Sequence, residues 1–118
     1  MRVAVVGTRK PEISYEEFER ELDKIFEVTK MKLEKIVSGG ALGIDSFARR
    51  YASEHQIPLD EFLPDYSSFG RGASIQRNRT IVENSDIVIA FPGKDSRGTY
   101  NTITVAEKAN KKVIIRKA

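Results

Sequence analysis

The chain has 118 residues, a formal net charge of +3, 31% charged residues and no cysteine. That length suits one domain around one real core, and the lack of cysteine excludes a disulfide framework and thiolate chemistry. The single histidine, His55, leaves little scope for a histidine metal site or a Ser–His pair, and no apolar run approaches the ~18 residues that cross a bilayer.

A charge of +3 is mild and does not by itself call for nucleic acid. Arg2 is followed by only four apolar residues before Gly7, so no signal peptide is expected. These features lead to the expectation of a cytoplasmic protein with no membrane partner, metal or cofactor.

The first apolar run, Val3-Ala4-Val5-Val6, is continuous, as in a strand covered on both faces. Gly7-Thr8-Arg9-Lys10-Pro11 reads as a loop. Ser14 and Glu17 have the spacing of a capping box. The helix after them turns Tyr15, Phe18, Leu22, Ile25 and Phe26 to one side. Leu33 to Val37 reads as a second strand. It feeds Ser38-Gly39-Gly40-Ala41-Leu42-Gly43-Ile44-Asp45, a glycine turn opening a helix whose inner face is Ile44, Phe47, Ala48, Tyr51 and Ala52. A strand, a glycine turn and a helix N-terminus gather backbone N–H groups and a positive dipole end, which suits an anion.

That helix ends near His55, with Pro58 beyond it, and His55 reads as a helix-end residue. Leu59 to Leu63 reads as a third strand, polar enough for a sheet edge. Pro64 to Ala73 reads as a loop and Ser74 to Asn84 as a helix with the unusual front Gln76-Arg77-Asn78-Arg79. Ile87 to Phe91 reads as a buried strand, Pro92 to Gly98 as a loop, Thr99 to Asn110 as a helix and Val113 to Ile115 as the last strand.

Strands alternate with helices throughout. This predicts an α/β three-layer sandwich around a mainly parallel five-stranded sheet, with strand order 3-2-1-4-5. The order reverses between the first and fourth strands, and ligands of such sheets bind outside the carboxyl ends of the strands at the reversal. The loops expected at that edge bring Gly7, Thr8, Arg9, Ser38, Gly39, Gly40, Gly43, Asp45, Arg77, Asn78, Pro92, Gly93, Gly98 and Thr99 together as candidate ligand-binding residues.

Glycine turns and arginine forks together suit phosphate. The expected arrangement has a phosphate on the helix N-termini near Gly43 and Thr99 and charge neutralisation by Arg9 and Arg77. Asp45 or Asn78 would hold ribose or base. Each residue also has a plainer role: Asp45 as a first-turn acid favoured by the helix dipole, Arg77 as a solvated helix residue, Gly93 and Gly98 as loop formers. The chain has neither G-x-G-x-x-G nor G-x-x-x-x-G-K-[ST], so it carries neither the dinucleotide fingerprint nor a Walker A loop.

Gly7-Thr8-Arg9, Val37 through Asp45, Arg77-Asn78-Arg79 and Phe91-Pro92-Gly93 with Gly98-Thr99 together resemble the SLOG superfamily of Rossmann-like nucleotide-binding proteins, in particular its small YspA/YpsA-related members. The resemblance implies one SLOG-like nucleotide-binding domain over residues 1–118, a nucleotide-like partner and self-association into a homo-oligomer. The glycine turn and Arg77-Asn78-Arg79 are also similar to the core of the DNA-processing DprA/Smf family, which implies single-stranded DNA as an alternative partner. Pro92-Gly93 with Gly98-Thr99 is similar to the LOG phosphoribohydrolases, which implies N-glycosidic cleavage of nucleoside monophosphates as a further alternative. Here Lys94 replaces that family's second glycine, and Thr102 stands three past Thr99, where the family has its glutamate; Glu107 lies further on.

Overall fold

The computed structural model describes all 118 residues. Five strands, β1 (Arg2–Gly7), β2 (Lys35–Ser38), β3 (Leu59–Glu61), β4 (Ile87–Phe91) and β5 (Lys112–Ile115), form one sheet. Its order is β3-β2-β1-β4-β5 and every pairing is parallel, as the alternation of elements predicts. The helices are α1 (Tyr15–Thr29), α2 (Ile44–Glu54), α3 (Tyr66–Phe69), α4 (Ala73–Glu83) and α5 (Arg97–Lys108).

Alternation along the strands divides the core into two layers. Val3, Val5, Ile36, Ile87, Ile89 and Phe91 point to one face, where α1 supplies Phe18 and Leu22 and α2 supplies Ile44, Ala48 and Tyr51. Ala4, Val6, Val37, Val88 and Ala90 point to the other face, against Ile81 and Val82 of α4 and Ile103 and Ala106 of α5. The second layer is built of smaller side chains, so α4 and α5 lie close to the sheet. The first is aromatic: Phe18 and Phe91 are fully buried, with ring centroids 5.0 Å apart.

The capping box forms as spaced. The Glu17 N–H donates to Ser14 Oγ at 3.1 Å, and the Ser14 N–H donates to Glu17 Oε1 at 3.1 Å. The polar edge strand β3 is held by side chains, Asp60 by Lys35 at 2.9 Å and Glu61 by Arg49 at 2.8 Å. No helix is long and apolar enough to cross a membrane.

Three expectations change. The stretch expected as a loop from Pro64 to Ala73 contains α3 and a 3₁₀ turn at Gly70–Gly72 that runs into α4. The cause is Asp65, whose Oδ1 accepts from the Ser68 N–H at 3.1 Å and the Ser67 hydroxyl at 2.8 Å and so caps a helical turn. The last helix begins at Arg97 rather than Thr99, with Ser96 as its N-cap residue. The strands β2 and β3 also end differently from the expected bounds, at Ser38 and Glu61.

Gly43 has a φ of +74°, and a Cβ there would lie 2.4 Å from the Thr8 carbonyl oxygen, an immovable backbone atom. Gly98 has open space around it and an ordinary φ. Gly43→Ala is expected to lose about 2–4 kcal/mol of stability, whereas Gly98→Ala is expected to be neutral or to gain up to about 1 kcal/mol. Urea denaturation midpoints of the two variants check this contrast.

Candidate functional site

The carboxyl ends of β1 and β4 lie side by side, with Gly7 opposite Phe91. The chain leaves β1 toward one face and β4 toward the other, and the reversal opens a hollow of about 980 Å³. This is near the upper end of the ~300–1,000 Å³ typical of ligand sites. Gly7, Thr8, Arg9, Gly39, Asp45, Arg77, Asn78, Pro92, Gly93, Gly98 and Thr99 line it. Gly40 lines a second hollow of about 200 Å³ that shares Arg9, Gly39, Ala41 and Arg77 with the first. Ser38 and Gly43 line neither and sit behind the wall.

Thr8 joins the turns. Its N–H donates to the Phe91 carbonyl at 3.0 Å and its carbonyl accepts from the Ile44 N–H at 3.0 Å. Its Oγ1 accepts from the Lys10 N–H at 3.1 Å and lies where a Cβ on Gly93 would come within 2.8 Å. The turns after β1, β2 and β4 therefore meet at one peptide. This contact also takes up the first amide of α2: the Ile44 N–H goes to Thr8, and in the turn before it the Ala41 N–H goes to Asp45 Oδ2 at 3.0 Å. The Asp45 and Ser46 amides have no protein partner, so this helix end is partly closed.

The N-terminus of α5 is different. The Ser96 hydroxyl accepts from the Gly93 N–H at 2.8 Å and makes no bond to its own helix. The amides of Arg97, Gly98 and Thr99 are left without protein partners, as the first turn of an uncapped helix leaves them. All three residues line the large hollow.

Asp45 and Arg77 form the charged floor. Asp45 is only 6% exposed. Burial pushes its carboxyl pKa up, against the opposing pull of the Ala41 N–H, the Arg77 charge and the Ser38 hydroxyl. Burial pushes the Arg77 guanidinium down; Asp45 supports its charge and the nearby Arg9 opposes it. Arg77 Nη1 donates to the carbonyls of Gly39 at 2.8 Å and Phe62 at 3.3 Å, which ties α4 to the ends of β2 and β3.

Asn78, 4% exposed, accepts from Arg77 Nε at 3.1 Å. It donates to the Gly98 carbonyl at 3.3 Å and to Asn101 Oδ1 at 3.0 Å. Its polar atoms are occupied in fastening α4 to α5, so it shapes the hollow.

Lys10, Ser74 and Ser96 also line the hollow and were not among the residues expected there. Ser96 was legible as an N-cap serine once the helix is started at Arg97. The other two reach the hollow through packing of distant segments. Arg79, singled out beside Arg77, is exposed and lines neither hollow.

The carboxylates on the wall are Glu12, Asp45 and Asp95. Glu107 is exposed and elsewhere. Thr102 is buried and donates to the Gly98 carbonyl at 3.0 Å. No group of three or more His, Cys, Asp or Glu side chains is placed to hold a metal ion.

The burial of Asp45 makes a pH prediction. A carboxyl whose folded-state pKa is raised contributes stability that is fully present below its unfolded pKa of about 3.9 and is lost as pH rises through the folded value. Asp45→Asn retains an oxygen acceptor for the Ala41 N–H and removes the buried charge. At pH 7 the variant is expected to be at least as stable as the parent, and near the unfolded pKa the two converge. Urea titrations at both pH values check this; a variant clearly weaker at pH 7 shows that attraction to Arg77 outweighs burial.

The same architecture occurs in solved proteins. DNA processing protein A from Helicobacter pylori, a structure described for its single-stranded DNA binding mode, superposes with a TM-score of 0.74 at 22% identity over 98% of this chain and 64% of its own. DNA processing protein A (DprA) from Streptococcus pneumoniae gives 0.73 at 22% identity over 97% of this chain and 49% of its own. The structural-genomics target TM1055 gives 0.69 at 20% identity over 95% and 71%. The chain thus spans about half to two thirds of the two DNA processing proteins, and at these identities the likeness is one of fold. No curated protein sequence matches it. The sequence model of the YspA, cpYpsA-related SLOG family matches residues 1–69, more than half of the chain, and the protein belongs to that family.

Proposed function

We propose that residues 1–118 form one binding unit for a phosphorylated, nucleotide-like ligand held at the carboxyl edge of the sheet. The observation that carries this reading is the pairing of three unbonded amides at the start of α5 with an uncommitted arginine across the same hollow. Arg9 is exposed and forms no salt bridge. Amides and a guanidinium are the donors that phosphate oxygens take. Family membership and the position at the strand-order reversal support the same reading.

In this arrangement the phosphate sits over Arg97, Gly98 and Thr99 rather than over α2, whose first amide is already taken. Arg9 supplies the opposing charge. Arg77 holds the floor in place and lends its field, and Asp45 is the acceptor nearest to a ribose hydroxyl. Isothermal titration with adenosine monophosphate tests this. Arg9→Gln is expected to weaken binding about tenfold, since a charge-assisted bond contributes ~1.5–3 kcal/mol, and to leave stability within about 0.5 kcal/mol of the parent. A panel of nucleotides that gives neither heat nor thermal shift at millimolar concentration overturns the reading.

A second reading, a single-stranded DNA module, is favoured by the fold of the DNA processing proteins and by three exposed aromatics, Tyr66, Phe69 and Tyr100, of which Tyr100 lines the hollow. Stacking on such rings tolerates any base. This reading expects oligothymidine affinity to fall steeply with salt, with a log–log slope of about −0.7 per phosphate contacted. Affinity that is flat in salt, or absent, removes it.

A further inference from the structure

We propose that the ligand carries two linked nucleoside units, the first in the large hollow and the second with its base in the small hollow beside it. This rests on the nucleotide reading above. The large hollow, at about 980 Å³, already has room for a whole mononucleotide. The small one, at about 200 Å³, lies below the ~300 Å³ of a complete ligand site and suits a ring. The two are joined rather than separate, because Arg9, Gly39, Ala41 and Arg77 belong to both walls.

Leu42, Leu63 and Pro64 also line the small hollow. Leu42 is 73% exposed and Leu63 69% exposed, so neither serves the core. Gly40, with a φ of +69°, leaves room for Leu63 here, since a Cβ on it would come within 2.7 Å of Leu63 Cδ2. The hollow is therefore lined both by apolar side chains and by two guanidinium groups. A phosphate gains nothing from leucine, and a cationic ring is repelled by the arginines. An uncharged aromatic ring is accepted by both kinds of group, packing on the leucines and stacking on a guanidinium.

The junction between the hollows is where Arg9 and Arg77 come together, and the charge of Arg9 bears on that of Arg77. A phosphate linking two nucleosides would lie there and relieve the repulsion between the two cations. The arrangement reads as terminal phosphate at α5, linking phosphate at the arginines and second base against the leucines.

Titration calorimetry with three probes tests this: adenosine monophosphate, the 5′-phosphorylated dinucleotide pApA, and pApA lacking its second base. The parent protein is expected to bind pApA about tenfold or more tighter than adenosine monophosphate, the gain of one stacked base. The abasic probe, which keeps the linking phosphate, is expected to bind about tenfold more weakly than pApA, and pApA is expected to lose the same factor with the Leu42→Ser/Leu63→Ser double variant, its fold checked by melting. A ratio near one in the parent, with adenosine monophosphate bound, removes the second unit and leaves the nucleotide reading standing. Equal binding of pApA and its abasic form, or of pApA by the parent and the double variant, overturns the assignment of the small hollow. Failure of every probe to bind removes both readings.

Discussion

The site depends on one peptide. Thr8 gives its N–H to the last residue of β4 and receives the first N–H of α2, so segments far apart in sequence are held at a single point. The contact is only possible because two neighbours lack a side chain. At Gly43 the obstacle to a Cβ would be the backbone of Thr8 and Arg9, and at Gly93 it would be the Thr8 side chain. Arg9 is the next residue along, so the same peptide sets where the free guanidinium stands. Gly93 in turn gives its N–H to Ser96, which turns that hydroxyl away from the first turn of α5 and leaves the amides there open. The open first turn of α5 and the loss of the first amide of α2 to Thr8 come from the same packing.

Behind this lies a group of desolvated polar residues that lock the other elements. Arg77 spans from α4 to the carbonyls at the ends of β2 and β3, and Asn78 spans from α4 to α5. Hydrogen bonds of this kind contribute only ~1 kcal/mol each when made, but a buried group left without its partner costs ~1–3 kcal/mol. The network is satisfied throughout, since no buried side-chain polar atom lacks a partner. Its effect is to fix the wall of the hollow before any ligand arrives, which lowers the ordering cost of binding.

Much of the fold could be read from the sequence because two periodicities are clean. Continuous apolar runs such as Val3–Val6 and Ile87–Phe91 are buried on both faces, and the stripe from Ile44 to Ala52 packs as one helix face. The glycine turns also pointed to the rim where the large hollow opens. The details that escaped depend on contacts between distant segments. Nothing local says that Thr8 will cover the start of α2, since that contact joins residues from two different loops. Asp65 and Ser96 were legible as caps but were read as loop residues, Asp65 beside Pro64 and ahead of Gly70 and Gly72, Ser96 between Gly93 and Gly98. Arg77 looked like a free cation in a helix, and its engagement with carbonyls of β2 and the segment after β3 is a tertiary fact. The family match ends at residue 69, so Arg77, Asn78 and the α5 turn rest on structure and local chemistry.

The net charge of +3 understates the field at the rim, because most acids near it are committed elsewhere. Asp60 and Glu61 on the edge strand are paired with Lys35 and Arg49. Asp65 is spent on capping α3, and the bonds from Ser67 and Ser68 hold its carboxyl below the usual range. Asp86 sits at the opposite end of the sheet with Arg2, whose backbone N–H and side chain likewise lower it. What faces the hollow is Arg9, Lys10, Lys94, Arg97 and Lys117, opposed by exposed Glu12 and Asp95 and by Asp45 beneath the surface. A buried carboxylate stabilises Arg77 at short range but is poorly placed to cancel the charge that solvent meets at the mouth. The excess of positive charge at the mouth therefore arises from the spatial sorting of acids and bases rather than from their number, and an overall charge computed from composition could not have revealed it.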